Sequence, residues 1–451
     1  MGTISTINER WRIFTLTCFM CCIVFAICLN YGRGRDNNRS LATFQSMAIS
    51  MSSTITAPSN EVIKTTEIEK PASAPAPTPA NESESMMITA SNIETEKPAL
   101  EKKLVEECNI FNGKWVYNPK ASPLYSEPRC PFLSEQVSCQ RNGRPDNEYE
   151  KWSWEAQGCE IPRFNATDML QRLENKRVII VGDSLNRNQW ESLACLLYSA
   201  ITTSRARVNF RSGTYKVFRA LDYNCSVEFY WSPFLVHLDQ PNSRKILKLD
   251  QLSSSANKWK GANIMVFNTG HWWVHTGKIK AWELFQYDGK LVEEMQIESA
   301  FEMAMNRWGR WVDQNVDATK TQVFFRSISP EHKGMRLCYN KTQPMSMDAS
   351  STETFPKQMI QVVERTIVGM RTPVKLLNIT ELSHYRIDAH PTIYAKKQEL
   401  LMRKQQRQQQ FYGDCSHWCL PGVPDTWNRL LYASMILNNS RDISASSDLF
   451  A

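Results

Sequence analysis

Beyond about residue 104 the chain repeats one pattern: a short run of branched and aromatic residues that stops abruptly at polar ones. Val178-Ile-Ile-Val181 runs into Gly182-Asp183-Ser184, and Ile264-Met-Val-Phe267 into Asn268-Thr-Gly-His271. Val323-Phe-Phe325 runs into Arg326-Ser-Ile-Ser329, and Val374-Lys-Leu-Leu377 into Asn378. Unbroken apolar runs of this length suit parallel strands covered on both faces. Between them Met295, Ile297, Phe301, Ala304, Met305, Trp308 and Val312 recur at helical spacing. The alternation predicts an α/β fold with a doubly wound sheet. In such sheets the site lies outside the carboxyl ends of the strands, where these polar residues gather. The stretch from Cys108 to Phe164, rich in Trp, Tyr, Pro, Gly and Cys, has little periodicity and reads as a stapled, loop-rich subdomain.

The N-terminal part follows other patterns. Ile13 to Leu29 is uncharged and close to the lower length limit for a membrane span, with Trp11 and Tyr31 at its ends. It is longer than the apolar core of a typical signal peptide, and no small-residue cleavage site follows. The expectation is a signal anchor over 13–30 behind a cytosolic tail, 1–12. Arg10 and Arg12 precede the run while Arg33, Arg35 and Arg39 follow it, so flanking charge does not decide its orientation. From 36 to 103 the composition turns to Ser, Thr, Ala, Pro and Glu, which cannot bury enough apolar surface to offset ordering, and a disordered stem is expected.

Cysteines and sequons settle the orientation. Nine of the 13 Cys lie beyond the apolar run, none paired in zinc-knuckle spacing, so a disulfide framework in an oxidising lumen is the better account. Nine is odd, and at least one thiol should be free. Seven N-x-[ST] sequons, beginning at Asn38, Asn81, Asn165, Asn224, Asn340, Asn378 and Asn438, fit a secretory glycoprotein. A single apolar run excludes a polytopic transporter. The net charge of +7 is mild and lacks the clustered basic face of a nucleic-acid binder. The basic, Gln-rich stretch Lys396–Gln410 reads as a solvated helix or loop.

Two short motifs carry chemistry. Ser184 sits between a strand and a plausible helix start, where its hydroxyl is exposed and the helix dipole faces any oxyanion formed beside it. The plain alternative is a helix N-cap. Asp414-Cys-Ser-His417-Trp-Cys419 supplies what a nucleophilic serine needs, a base and a carboxylate to orient it. Here the alternative is a surface loop with two disulfide cysteines. Together the motifs favour a Ser-His-Asp triad. His271-Trp-Trp-Val-His275 has the spacing of a helical metal pair, but no Glu follows His271 and no third ligand is evident. It reads as an aromatic loop, and no metal is expected. Asn268, ending its strand, could donate to an oxyanion.

The blocks Gly182-Asp-Ser-Leu-Asn-Arg-Asn-Gln-Trp-Glu-Ser192, Asp414-Cys-Ser-His-Trp-Cys-Leu-Pro-Gly422 and Pro424-Asp-Thr-Trp-Asn428 resemble the plant trichome birefringence-like family. So do Cys139-Gln-Arg-Asn-Gly-Arg-Pro-Asp146, Asp222-Tyr-Asn-Cys-Ser-Val-Glu-Phe-Tyr230 and Phe267-Asn-Thr-Gly-His-Trp-Trp273. Trp152-Ser-Trp154 departs from the Trp-Arg-Trp expected of the family.

The resemblance implies a Golgi type II membrane protein that O-acetylates a plant cell-wall polysaccharide. Its lumenal head would combine a cysteine-rich N-terminal region, 104–164, with an SGNH/GDSL esterase-like domain, 165–442. Ser184 would be the nucleophile, His417 the base and Asp414 its orienter. Asn268 and the Ser184 N–H would hold the oxyanion, with Arg187, Gly182 and Asp183 as further oxyanion or substrate residues. Implied disulfides are Cys108–Cys159 and Cys130–Cys195, with Cys139 and Cys338 pairing with Cys415 and Cys419, and Cys225 left over. No cofactor is held. The acetyl donor would be a co-substrate, either acetyl-CoA or an acetyl group relayed by a membrane partner. Xylan is the favoured acceptor, with pectin, xyloglucan and mannan open. The rival readings are a wall-polysaccharide acetylesterase and a non-catalytic carbohydrate-binding protein.

Overall fold

The computed structural model describes residues 109–241, 244–332, 338–346, 356–396 and 413–447. The expected tail, anchor and stem, Cys108 and the basic stretch beyond Lys396 lie outside them. Among the described residues no helix is long and apolar enough to cross a membrane.

The described residues form thirteen strands: β1 Gly113–Tyr117, β2 Trp152–Ala156, β3 Arg177–Gly182, β4 Ala206–Ser212, β5 Tyr215–Ala220, β6 Cys225–Trp231, β7 Val236–Asp239, β8 Ile246–Leu252, β9 Ile264–Phe267, β10 Leu284–Tyr287, β11 Lys290–Val292, β12 Gln322–Arg326 and β13 Val374–Leu377. Helices are α1 Ala166–Arg172, α2 Ser184–Tyr198, α3 Ile297–Asn315, α4 Lys357–Val368, α5 Thr380–His384 and α6 Val423–Ser447.

The central sheet runs β13-β12-β9-β3-β6-β5-β4. From β13 to β6 all pairings are parallel. Each of the four apolar runs picked out in the sequence is one of these strands. Both faces are covered. Ile179, Val181, Met265, Phe267, Val323 and Phe325 pack into one core with α3 and α4. Val178, Ile180, Ile264, Val266 and Phe324 pack into the other with α1, α2 and α6. Alternate residues serve opposite cores, so every residue must be apolar, and no period-2 pattern appears. The chain leaves β3 toward β6 on one side and later toward β9 on the other, so the end of β3 is a topological switch point.

Three features depart from the expected sheet. β4, β5 and β6 pair antiparallel, because the short turns Gly213–Thr214 and Leu221–Asn224 allow no crossover. A separate four-stranded sheet, β11-β10-β8-β7, stacks Leu247, Leu249 and Phe285 onto the α3 side. The stapled region holds an antiparallel pair, β1 with β2, rather than loops alone. Its Tyr149 and Trp154 share a core with Trp418 and Trp427.

Candidate active site

β3 ends at Gly182, where space dictates the residue. A Cβ there would lie 2.8 Å from the Asn268 carbonyl oxygen and 2.9 Å from Asn186 Nδ2. Asp183 then caps α2, its Oδ1 accepting the Leu185 N–H at 2.9 Å, while its Oδ2 is buried without a partner. Ser184 is therefore the first residue of the helix and is partly exposed. Its N–H belongs to the first turn, where amides have no intrahelical acceptor, and the helix dipole adds positive potential there.

α2 shows little amphipathic pattern, because its polar residues are buried too. Asn186, Asn188, Gln189, Glu191 and Ser192 are all essentially inaccessible, and each has a partner on another segment. Asn188 matters most for the site. It accepts the Trp418 N–H at 2.8 Å and donates to the Trp418 carbonyl at 3.2 Å, fixing the residue next to His417 one turn beyond Ser184.

The Asp414–Cys419 loop is tied down along its length. Asp414 forms a two-way bridge with Thr392, each N–H donating to the other's carbonyl at 2.9 Å. Cys415 pairs with Cys338, and Cys419 with Cys139, so disulfides bracket His417. Asp414 Oδ1 accepts the N–H groups of Ser416 and His417 at 3.0 Å. The His417 carbonyl accepts from His390 Nδ1 at 2.7 Å, and the His390 ring stacks on Trp418 with centroids 4.1 Å apart.

His417 Nδ1 lies 2.9 Å from Asp414 Oδ2. A carboxylate at that distance selects the Nδ1–H tautomer and leaves Nε2 as the basic nitrogen. Nε2 is buried and has no partner. Burial pushes Asp414 up, but the neighbouring His417 and the Ser416 and His417 amides outweigh it and hold the carboxyl well below its usual range. The pair is thus a carboxylate beneath an imidazole whose outer nitrogen has no partner.

Sequence reading did not find Gln136. Its Nε2 donates to Asp414 Oδ2 at 2.8 Å and sits 3.0 Å from His417 Nδ1, and its Oε1 accepts from Arg187 Nη2 at 2.7 Å. A cysteine-rich region residue therefore completes the site, and no local signal marks it. Arg187 is engaged by Gln136 and, at 3.9 Å, by Glu191 rather than standing free beside Ser184. Asn268 is fully buried next to Gly182, with one Nδ2 hydrogen given to the Arg326 carbonyl at 3.2 Å. His271 and His275 flank a single 3-10 turn, His271–Val274, and His271 Nε2 bonds the Ser329 carbonyl at 2.6 Å. Among the described residues no group of three His, Cys, Asp or Glu could hold a metal. Cys130 pairs with Cys195, Cys159 is disulfide-bonded, and Cys225 is a buried free thiol.

Residues 161–434 match the model of a GDSL/SGNH-like acyl-esterase family found in Pmr5 and Cas1p, and residues 106–160 match the PMR5 N-terminal domain. Protein trichome birefringence-like 6 of Arabidopsis thaliana is 44% identical over 352 residues, covering 74% of this chain and 72% of that protein. The chain belongs to the trichome birefringence-like family. Trichome birefringence-like 36 of the same plant is 40% identical over 339 residues, covering 74% of this chain and 87% of its own length. A probable xylan O-acetyltransferase 8 of Oryza sativa subsp. japonica is 40% identical over 345 residues, covering 73% of this chain and 78% of its own. The family's two matched regions meet at Gln136 and Asp414.

Proposed function

We propose that this trichome birefringence-like chain is an O-acetyltransferase acting on a plant cell-wall polysaccharide through an acetyl-serine intermediate. The observation that carries it is the His417–Asp414 pair at 2.9 Å, its Nε2 unpartnered, bonded through Trp418 and Asn188 to the helix that Ser184 begins. His417 Nε2 removes the Ser184 proton as Oγ attacks the donor's acetyl carbonyl. The oxyanion is met by the Ser184 N–H and by the remaining Asn268 N–H. On collapse the donor's leaving group departs with the proton from His417. A sugar hydroxyl then gives its proton to His417 and attacks acetyl-Ser184, and Ser184 recovers its proton as the ester leaves. Throughout, Asp414 stabilises the imidazolium and Gln136 keeps Asp414 turned toward it.

The acetyl donor is a co-substrate, acetyl-CoA or an acetyl group relayed by a membrane protein, and no resident cofactor takes part. Xylan is the preferred acceptor, because a relative of matching length carries that substrate in its name. Residues 13–30 anchor the chain in the Golgi membrane with the head lumenal, in keeping with its disulfides and sequons. The test uses the full-length protein in detergent, an acetyl donor and xylo-, manno-, xyloglucan and pectin oligosaccharides, with acetyl groups counted by mass spectrometry. Gain on xylo-oligosaccharides, abolished by Ser184→Ala, is expected. Ser184-dependent loss from pre-acetylated oligosaccharides without any gain would make the protein an esterase.

A further inference from the structure

Arg326 is a buried cation that the mechanism above leaves without a task. Phe267 of β9 registers with Val181 of β3 and with Phe325 of β12, so Gly182, Asn268 and Arg326 are the next residues on three adjacent strands. Asn268 joins them, its N–H donating to the Val181 carbonyl at 3.0 Å and its amide to the Arg326 carbonyl. In-register residues of parallel strands share a face, and the Arg326 side chain accordingly reaches the α2 side. Its Nε donates to Asn186 Oδ1 at 2.9 Å, in the first turn of the helix that Ser184 starts. Asn186 in turn donates to the Val181 carbonyl at 2.7 Å. The guanidinium lies over the Trp427 ring, 4.9 Å from its centroid. It therefore sits directly beneath the turn that carries the nucleophile.

Among the described residues no carboxylate is bonded to it, and the buried Asp183 acts on it only from beyond ion-pair distance. Arg326 is wholly inaccessible, and among the described residues it forms no ion pair. Nη1 donates to the Ser327 carbonyl, and Nη2 is buried with no acceptor. Burial pulls its pKa down to about 10, partly opposed by Asp183, so it stays charged at neutral pH. An unpaired buried cation is costly, and an apolar residue of similar size is commonly the more stable choice. Retaining it makes physical sense where a negative charge appears transiently nearby.

We propose that Arg326 is the electrostatic anchor of the oxyanion site: a fixed positive charge under the Ser184 turn, bonded to no carboxylate, that the tetrahedral oxyanion of acetyl transfer meets. It adds to the α2 N-terminus, which faces the same point, and acts without touching the substrate, through the low-dielectric space below Gly182. It is a positioning residue, holding Asn186 and the field together. This inference rests on Ser184 being the nucleophile.

The test separates charge from geometry, and its labelling arm needs no acceptor. The full-length protein is treated with a neutral methylphosphonyl fluoride ester, which converts a nucleophilic serine into a tetrahedral, anion-like adduct, and Ser184 labelling is followed by intact mass. Arg326→Gln, which keeps a donor for Asn186 but no charge, should label on the order of 10²-fold more slowly and lose kcat to match, with KM for the oligosaccharide within about twofold. Arg326→Lys, which keeps the charge and loses the fork, should stay within about tenfold of wild type even where its melting temperature is lower. Gln labelling at the wild-type rate overturns the inference, and so does a folded Lys variant as slow as Gln. The Lys arm stands alone where Gln fails to fold. Wild-type protein that does not label at Ser184 overturns the reading of the nucleophile and, with it, this inference; labelling that is equal in all three overturns the inference alone.

Discussion

In the proposed reaction Ser184 and His417 act together, yet different physics holds them. Ser184 follows β3, whose Val178 to Val181 are completely buried between two hydrophobic cores, and begins a helix inaccessible on nearly every face. Its place is set by close packing, which tolerates little shift. His417 has no such support. It sits in an irregular loop held by the Cys139–Cys419 and Cys338–Cys415 bridges, the Asp414–Thr392 bridge, His390 and Asn188. Packing positions Ser184, and cross-links with polar bonds position His417. Ser184 should therefore keep its place through changes that displace His417.

The most severe way to split the pair is Asp414→Asn. The amide keeps an oxygen for the Ser416 and His417 N–H groups but offers N–H groups toward Nδ1, favouring the wrong tautomer. kcat should fall by about 10³–10⁴ while the melting temperature stays near wild type, as read by acetyl-transfer assays and calorimetry. A loss under tenfold would mean that Asp414 does not orient the base.

Next come the disulfides. Replacing Cys139 and Cys419 by Ala should cost about 2–5 kcal/mol of stability and lower kcat of the folded protein, because the loop loses a tether. Replacing Cys130 and Cys195, which brace the far end of α2, should cost stability in the same range with kcat unchanged. Equal kcat losses in the two double variants would erase the contrast drawn above.

A smaller effect should appear in acid. His390 and His332 are bonded to each other beneath the His417 carbonyl, and burial lowers them to about 3 and about 4. Below pH ~6.5 the unfolded chain takes up these protons first, so this pair makes stability fall from about pH 6.5 toward pH 4, at up to about 1.4 kcal/mol per pH unit for each ring. Asp425, raised by burial to about 6, and Glu150, raised by burial to about 7, act in the opposite sense. The contribution is therefore read as a difference. Urea unfolding between pH 7 and 4 should lose more stability on acidification in wild type than in His332→Gln, and parallel curves would contradict the lowering of His332 by burial.

The smallest expected change is Gln136→Leu. Removing two hydrogen bonds, one to a carboxylate, should reduce kcat roughly tenfold with KM nearly constant, since an ordinary bond contributes about 1 kcal/mol. An unchanged kcat would show that the disulfides alone suffice to aim Asp414.

What could be read in advance was contiguous. Val178–Val181 announced a buried strand, Ser184 the turn after it, and Asp414 with His417 a carboxylate within reach of an imidazole. Less visible was anything assembled from distant segments. β7, β8, β10 and β11 escaped notice because their apolar residues are mixed with Lys, Asp and Gln, and no α-helix separates β7 from β8 or β10 from β11. The start of α2 was legible, but the burial of its polar residues was not, because Trp418, Asn428, Asp425 and Lys216 satisfy them from distant segments.

The amino-acid sequence by itself determined the strands of the parallel core and marked Ser184, Asp414 and His417 as the candidates for nucleophile, carboxylate and base, since each rests on side-chain chemistry and local spacing. Only the tertiary structure decided which cysteines bracket His417, that Gln136 and Asn188 hold Asp414 and Trp418 on either side of it, and that Arg326 lies beneath the Ser184 turn with no ion pair among the described residues. These depend on contacts between residues up to 280 positions apart, as Cys139 and Cys419 are. Such contacts leave no trace in local patterning, because their free energy appears only when the cores on both faces of the sheet have closed.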